Sequence, residues 1–204
     1  SFFFDILQQQ GMLSTPYQRI YFADKANYYI GDKQYIPIYQ STANIGVYQL
    51  ADDIERLPGK RFKLPVGMRW NYFINEKVVL RTYYRYYQDD WDIKAHTFSV
   101  ELPVKLSDAF TVYPTYRYYV QTQSKYFAPY EQHLSTEQYY TSDYDLSAFV
   151  ANQYGVGATY TDLLTRFSIF GLKVKNIDFR FNHYARSDSL NANIGTIAFK
   201  FITY

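Results

Sequence analysis

The residues best placed to do chemistry are a set of arginines and acids at alternating positions: Arg69, Arg81, Arg85, Arg117 and Arg180, with Glu101 and Asp178. Arg186 continues the set. Guanidinium groups gathered on one face can clamp a ligand carboxylate or phosphate, or favour anions along a channel. The same groups can brace a polar interior by pairing with one another, which is the simpler reading. Asp89, Asp90 and Asp92 put three carboxylates around Trp91, and carboxylate oxygens suit Ca²⁺. Their spacing matches no defined metal loop, so a solvated acidic turn is the plainer expectation, and Asp143 and Asp145 read the same way. His96, His133 and His183 could act as general bases, but no G-x-S-x-G, phosphate-binding glycine loop or Cys/His ligand spacing accompanies them. No catalytic residue, resident metal or cofactor is therefore assigned. In one long connection, Tyr126, Phe127, Tyr130, Tyr139 and Tyr140 could be exposed anchors for a partner protein or glycan, or could fold over as a lid.

The elements that must carry these residues alternate with period two. Phe62, Leu64, Val66, Met68, Trp70 and Tyr72 are interleaved with Lys63, Pro65, Gly67, Arg69 and Asn71, so one face is apolar and the other polar. Asn75-Glu76 makes a tight turn, and Val78, Leu80, Thr82, Tyr84 and Tyr86 then oppose Arg81, Tyr83, Arg85 and Tyr87. After a short polar connection at 88–92, a third strand carries His96, Phe98, Val100, Leu102, Val104 and Leu106 on its apolar face. A fourth sets Phe110, Val112, Pro114, Tyr116, Tyr118 and Val120 against Thr111, Tyr113, Thr115, Arg117, Tyr119 and Gln121. A weaker strand follows at 150–160, then strands at 177–184 and 197–201, and 2–9 supplies one at the start. Short turns near Asn75 and Ser107 alternate with long connections at 11–59 and 124–144. The connection from Tyr160 to Ile177 breaks that rhythm, and its Leu163, Leu164, Phe167, Ile169 and Phe170 could extend a strand or rest at an interface.

Composition selects among architectures with that pattern. Tyr and Phe number 25 and 16, yet mean hydropathy is only −0.37. Runs of ~20 apolar residues, which a spanning helix needs, do not occur. Alternation also fits a soluble sandwich or a lipocalin-like barrel with its apolar face inward. Long consecutive strands, aromatics clustered at strand ends (Trp70, Tyr72, Phe73; Tyr83, Tyr84, Tyr86, Tyr87) and repeated arginine on the polar face favour the membrane version. The expectation is a single all-β domain over 1–204, an antiparallel transmembrane β-barrel of about eight strands with lipid as its neighbour. A net charge of +2 gives no reason to expect nucleic acid. A start on Ser1-Phe2-Phe3-Phe4 reads as mid-strand, so this is expected to be the C-terminal part of a larger barrel.

Several stretches resemble a known family: LSTPYQRIYF at 13–22, RLPGKRFKLPVGMRWNYF at 56–73, VVLRTYYRYYQDDWDIKAHT at 78–97, YRYYVQTQSKYFAPY at 116–130, YYTSDYDLS at 139–147 and HYARSDSLNANI at 183–194. They are similar to a Bacteroidota-type outer-membrane β-barrel family known as domain of unknown function 3570. The resemblance implies a bacterial outer-membrane location and a full barrel about twice this length. It also implies the company of a small lipoprotein, a thioredoxin-like protein and a flavin transferase. From it follows the expectation of a non-catalytic scaffold or docking component of an envelope complex. The alternative is a transport barrel for small, anionic solutes. The ending departs from the usual assembly signal, because Ile202, Thr203 and Tyr204 follow Phe199 and Phe201.

Overall fold

Residues that alternate in polarity form strands because alternate side chains of an extended chain meet opposite surroundings. The computed structural model describes residues 1–31, 47–164, 167–169 and 172–202. Phe170, the terminal residues 203–204 and the 32–46 part of the first long connection lie outside the described residues. In chain order the strands are β1 (Phe2–Phe4), β2 (Leu7–Gln10), β3 (Arg19–Ile20), β4 (Tyr28–Ile30), β5 (Tyr48–Leu50), β6 (Asp53–Ile54), β7 (Lys60–Asn75) and β8 (Val78–Asp89). They continue as β9 (Lys94–Glu101), β10 (Val104–Lys105), β11 (Phe110–Gln121), β12 (Phe149–Thr161), β13 (Ser168–Ile169), β14 (Leu172–Arg186) and β15 (Asn191–Ile202). A single 3₁₀ turn at Tyr144–Leu146 is the one helical element among the described residues.

The main sheet is an antiparallel meander. β1 and β2 both pair with β7, followed by β8, then β9 with β10, then β11, β12, β14 and β15, while β13 adds a short pairing to β14. The expected succession of about eight strands is present. Prolines explain its interruptions, since each lacks a ladder donor. β1 and β2 part at Asp5-Ile6, opposite Pro65, with one hydrogen bond of 3.0 Å from Asp5 N–H to the Pro65 carbonyl across the gap. The third expected strand is divided into β9 and β10 at Leu102-Pro103, which faces Pro114.

The all-β antiparallel sheet is as expected, but among the described residues it does not close into a barrel. Closure requires the first and last strands to hydrogen-bond along their length. Among the described residues β1 and β2 pair only with β7, and β15 pairs only with β14. The sheet is therefore open at two edges. It nevertheless curls around its polar face, because Arg69 of β7 and Arg180 of β14 line the same 450 Å³ cavity although four strand positions separate β7 from β14.

The two faces are inverted relative to a water-soluble sheet. Phe62, Val66, Trp70, Phe179, Ile197 and Phe199 are 44, 44, 62, 47, 61 and 47% exposed. Thr97, Gln121 and Asp89, on the opposite face, are 3, 7 and 5% exposed. The two ends also differ. At one, Asn75 Oδ1 closes the β7–β8 turn by accepting from the N–H groups of Lys77 and Val78, at 2.9 and 3.0 Å. At the other, the described parts of the connections 11–59 and 122–148 pack together as a cap. Its core is Ile20, Phe22 and Tyr140.

Candidate functional site

Register places the charged residues on rungs of the curled face. Asn71, Arg81, Glu101 and Thr115 form one rung across β7, β8, β9 and β11. Arg69, Tyr83, Ser99, Arg117 and Gln153 form the next, and Gly67, Arg85, Thr97 and Tyr119 the one after. All seven of the expected charges lie on this face. Some brace it: Arg81 donates to Glu101 at 2.8 Å, Arg180 sits 3.8 Å from Glu101, and its Nε donates to Asp178 at 3.1 Å. Asp178 also accepts from the hydroxyls of Tyr113 and Thr159, the latter at 2.7 Å. Tyr113 reaches β14 by lying across Gly157 of β12, where any side chain would collide with its ring. Arg69, Arg85 and Arg117 are different, for none has a carboxylate partner among the described residues. Arg69 rests between the Phe3 and Tyr83 rings, 5.6 Å from each.

The acidic turn after β8 is the solvated connection expected only in part, at exposed Asp90 and Asp92. Gln88 and Asp89 belong to the strand, and Trp91 is buried. Asp89 Oδ1 accepts from the backbone N–H groups of Trp91 and Ile93, both at 3.0 Å. Its Oδ2 accepts from Arg61 Nε at 2.9 Å and the Tyr87 hydroxyl at 2.8 Å, and the Arg61 guanidinium stacks 4.3 Å from the Trp91 ring. Asp90 instead accepts from the Phe62 N–H at 3.0 Å, and Asp92 approaches Lys125 at 4.0 Å. The three carboxylates do not converge, and among the described residues no group of acids and histidines is arranged to hold a metal.

Of the two alternatives for the loop aromatics, exposed anchors or a folded-over lid, the packing of the cap is nearer the second. Phe127 and Tyr140 are buried, Tyr126 and Tyr139 are half-buried, and only Tyr130 of the five is exposed. Two of them meet the other long connection, Tyr140 edge-on to Phe22 and Tyr130 against Tyr21, while Phe127 packs on Tyr144 and Tyr126 on Trp91 and Tyr139. Arg56 and Tyr140 exchange backbone hydrogen bonds of 3.1 and 2.8 Å, and buried Glu55 accepts from the Thr141 hydroxyl at 2.5 Å. Burial, together with a 2.6 Å hydrogen bond to Asp53, pushes the Tyr140 hydroxyl up to about 12. For Asp53 burial acts upward, but the Tyr140 hydroxyl, the Ile54 N–H and Arg56 outweigh it and hold the carboxyl below its usual range. Asp24 is held low chiefly by the Ser135 N–H, then by the Ser135 hydroxyl. His133 is buried, with Nδ1 2.6 Å from Glu137 and Nε2 2.9 Å from the Thr141 carbonyl, so both ring nitrogens are occupied. His96 lies on the exposed face between Tyr84 and Tyr86, and His183 meets Asn193 at 2.9 Å.

Residues 2–199 match the model of the protein family of unknown function DUF3570. The chain belongs to that family. No curated protein and no solved structure matches it.

Two features of this DUF3570 chain were not anticipated from its sequence. Tyr28, Ile30, Tyr48 and Leu50 form an exposed apolar face on the β4–β5 pair, with Tyr28 opposite Leu50 and Ile30 opposite Tyr48. Alternation over three residues is too short a signal to separate from loop sequence. Arg61 was also missed as the partner of Asp89. The hairpin register, which sets Lys63 opposite Asp89 and so brings Arg61 within reach, is the signal that could have found it.

Proposed function

We propose that this chain is the lipid-facing wall of an outer-membrane β-barrel and works by binding rather than by covalent chemistry, as a platform on which other envelope proteins dock. The observation that carries the reading is the inversion of the sheet, with apolar side chains outward and arginine, aspartate, glutamine and tyrosine inward. Water would penalise that arrangement, whereas a bilayer stabilises it by ~25 cal/mol for each Å² of apolar surface removed from water. The open edges fit a barrel completed by further strands. Among the described residues no helix is long and apolar enough to cross a membrane, a fact that says nothing of strands. The docking element on this reading is the β4–β5 face, whose four apolar side chains stand 65, 58, 69 and 47% exposed. A lipoprotein subunit is the expected partner.

Heat modifiability tests the wall. A folded barrel migrates differently on an SDS gel before and after boiling, and partition into the aqueous phase of a detergent-free preparation would sink the reading. Docking is tested by co-purification from membranes, with Tyr28→Ser and Tyr48→Ser together expected to release the partner. A second reading, passage of small anions, is favoured by the unpaired arginines of the inner face. Planar-bilayer recordings separate the two, because steady open-channel currents contradict a platform without a pore.

A further inference from the structure

The acids of the curled face are already engaged, and their distribution leaves a positive hole. Glu101 serves Arg81 and Arg180, Asp178 serves Arg180, Asp89 serves Arg61, and Asp145 and Asp188 serve Arg186. Arg69, Arg85 and Arg117 remain without a carboxylate among the described residues, and the last two, on β8 and β11, stand one rung apart, separated by Ser99 and Thr97 of β9. Together they line a cavity of 230 Å³ whose remaining walls are Tyr83, Thr97 and Ser99. The lining is two guanidiniums and three hydroxyls, with no carboxylate. Arg85 Nε is buried without a hydrogen-bond partner. Arginine cannot shed its proton to relieve that position, so an acceptor entering the cavity, water or an anion, would stabilise it.

We propose that Arg85 and Arg117 form a binding site for a small oxyanion, a phosphate or carboxylate group entering from the polar side of the sheet. The planar guanidinium fork matches two oxygens of such a group, which a spherical halide cannot offer. Thr97 and Ser99 supply hydroxyl donors between the forks. The cavity far exceeds the ~30 Å³ of one water, so the group enters with part of its hydration. Arg69, Arg81 and Arg180 share the adjoining 450 Å³ cavity with Arg117, and Arg69, also unpaired, extends the positive field toward the site. The inference rests on the reading of this face as a lumen, but not on whether the lumen conducts.

The test is calorimetric titration of the full-length protein, folded in detergent micelles, with inorganic phosphate, acetate and chloride at one ionic strength. Saturable binding of phosphate or acetate, at least tenfold tighter than chloride, is expected. Whichever oxyanion binds more tightly identifies the class. Arg85→Gln and Arg117→Gln should each weaken it at least tenfold. Arg117→Lys, which keeps the charge but loses the fork, should fall between, and Lys105→Gln at the end of β10 should change nothing. Heats indistinguishable from chloride, or glutamine variants that bind as tightly as the parent, overturn the proposal. If neither glutamine variant folds, Arg117→Lys decides: undiminished binding overturns the site, and a loss upholds it. A preparation that shifts on heating yet binds no oxyanion rejects this site alone. One that binds but never shifts rejects the barrel alone.

Discussion

Asp89 offers the sharpest test of how the inner face is held, because its two oxygens do separate jobs. Its side chain is fully buried and that of Arg61 is 16% exposed, so solvent screens the pair little. Oδ1 fixes the turn through the N–H groups of Trp91 and Ile93, and Oδ2 takes Arg61 and the Tyr87 hydroxyl. Asp89→Asn keeps an oxygen for the turn but sets an NH₂ against two donors and leaves the arginine uncompensated. Removing one partner of a buried pair costs about 3–5 kcal/mol. Asp89→Ala loses the turn bonds as well, at about 1 kcal/mol each net, and should be the worse by ~2 kcal/mol. Arg61→Met strands the carboxylate and should approach the asparagine variant. The double variant should then lose less than the sum of the two, as coupled partners do. A loss of ~3 kcal/mol moves the unfolding equilibrium by about two powers of ten. Urea titration in micelles followed by tryptophan fluorescence reads this directly, since Trp91 stacks on Arg61 and Trp70 is the only other indole. The reasoning fails if Asp89→Asn lies within about 1 kcal/mol of the parent, or if the asparagine and alanine variants coincide.

Three further outcomes follow from the geometry. Val156 points outward between Pro114 and Phe181, so Val156→Arg should cost about 2–4 kcal/mol in liposomes. Thr115→Lys on the inner face should be tolerated there, and equal tolerance of both would show that the outer face meets water. Gly157→Ala drives a methyl into the Tyr113 ring and should cost about 1–3 kcal/mol, most of it relieved in a Tyr113→Ala background, as urea midpoints would reveal. The cap should loosen at both extremes of pH. The Asp53 and Asp24 carboxyls are lowered by folding, so their contribution is present above the unfolded value of ~3.9 and fades as pH falls through the lower folded values. The Tyr140 hydroxyl is raised to about 12, so its contribution is complete below ~10 and fades as pH climbs toward the folded value. Protease nicking of the 122–148 connection against pH measures both arms, and a flat profile would refute the Asp53–Tyr140 link.

What could be read from the sequence was set by range. Period-two alternation is a nearest-neighbour property, so β7, β8, β11, β12 and β14, and the face on which each arginine falls, were legible from single stretches. The interruptions at Pro65, Pro103 and Pro114 were not, because a missing donor matters only once register says what stands opposite. Pairing was harder still. Alternation puts Glu101 on the face of several arginines, but the curl decides that it meets Arg81 and Arg180 and leaves Arg85 and Arg117 alone. The cap was least legible. Tyr140 could be read as an anchor or as part of a lid because the residues that bury it, Phe22 and Arg56 among them, come from the other long connection.

The way the cap is fastened bears on the charge of the face beneath it. Gln121 Nε2 donates to the carbonyls of Asp145 and Ser147 at 3.0 and 2.6 Å, and Arg186 donates to the Asp145 carboxylate at 2.6 Å and the Tyr144 carbonyl at 2.9 Å. The 3₁₀ turn is thereby stapled to β11 and β14, above a 280 Å³ cavity that Arg117, Tyr119, Gln153 and Tyr184 also line. Asp145 is the only carboxylate in that lining, and Arg186 holds it. An interior built only for bracing would gain by turning one acid toward Arg117, because an uncompensated guanidinium in a partly dry cavity opposes folding. Instead the acids are committed to arginines at the rim and along one side: Asp89 with Arg61, Asp145 with Arg186, Glu101 and Asp178 with Arg180. The bracing and the vacancy are then consequences of one arrangement. The pairs that hold the sheet and the cap in place are the same pairs that leave Arg85 and Arg117 without a carboxylate among the described residues.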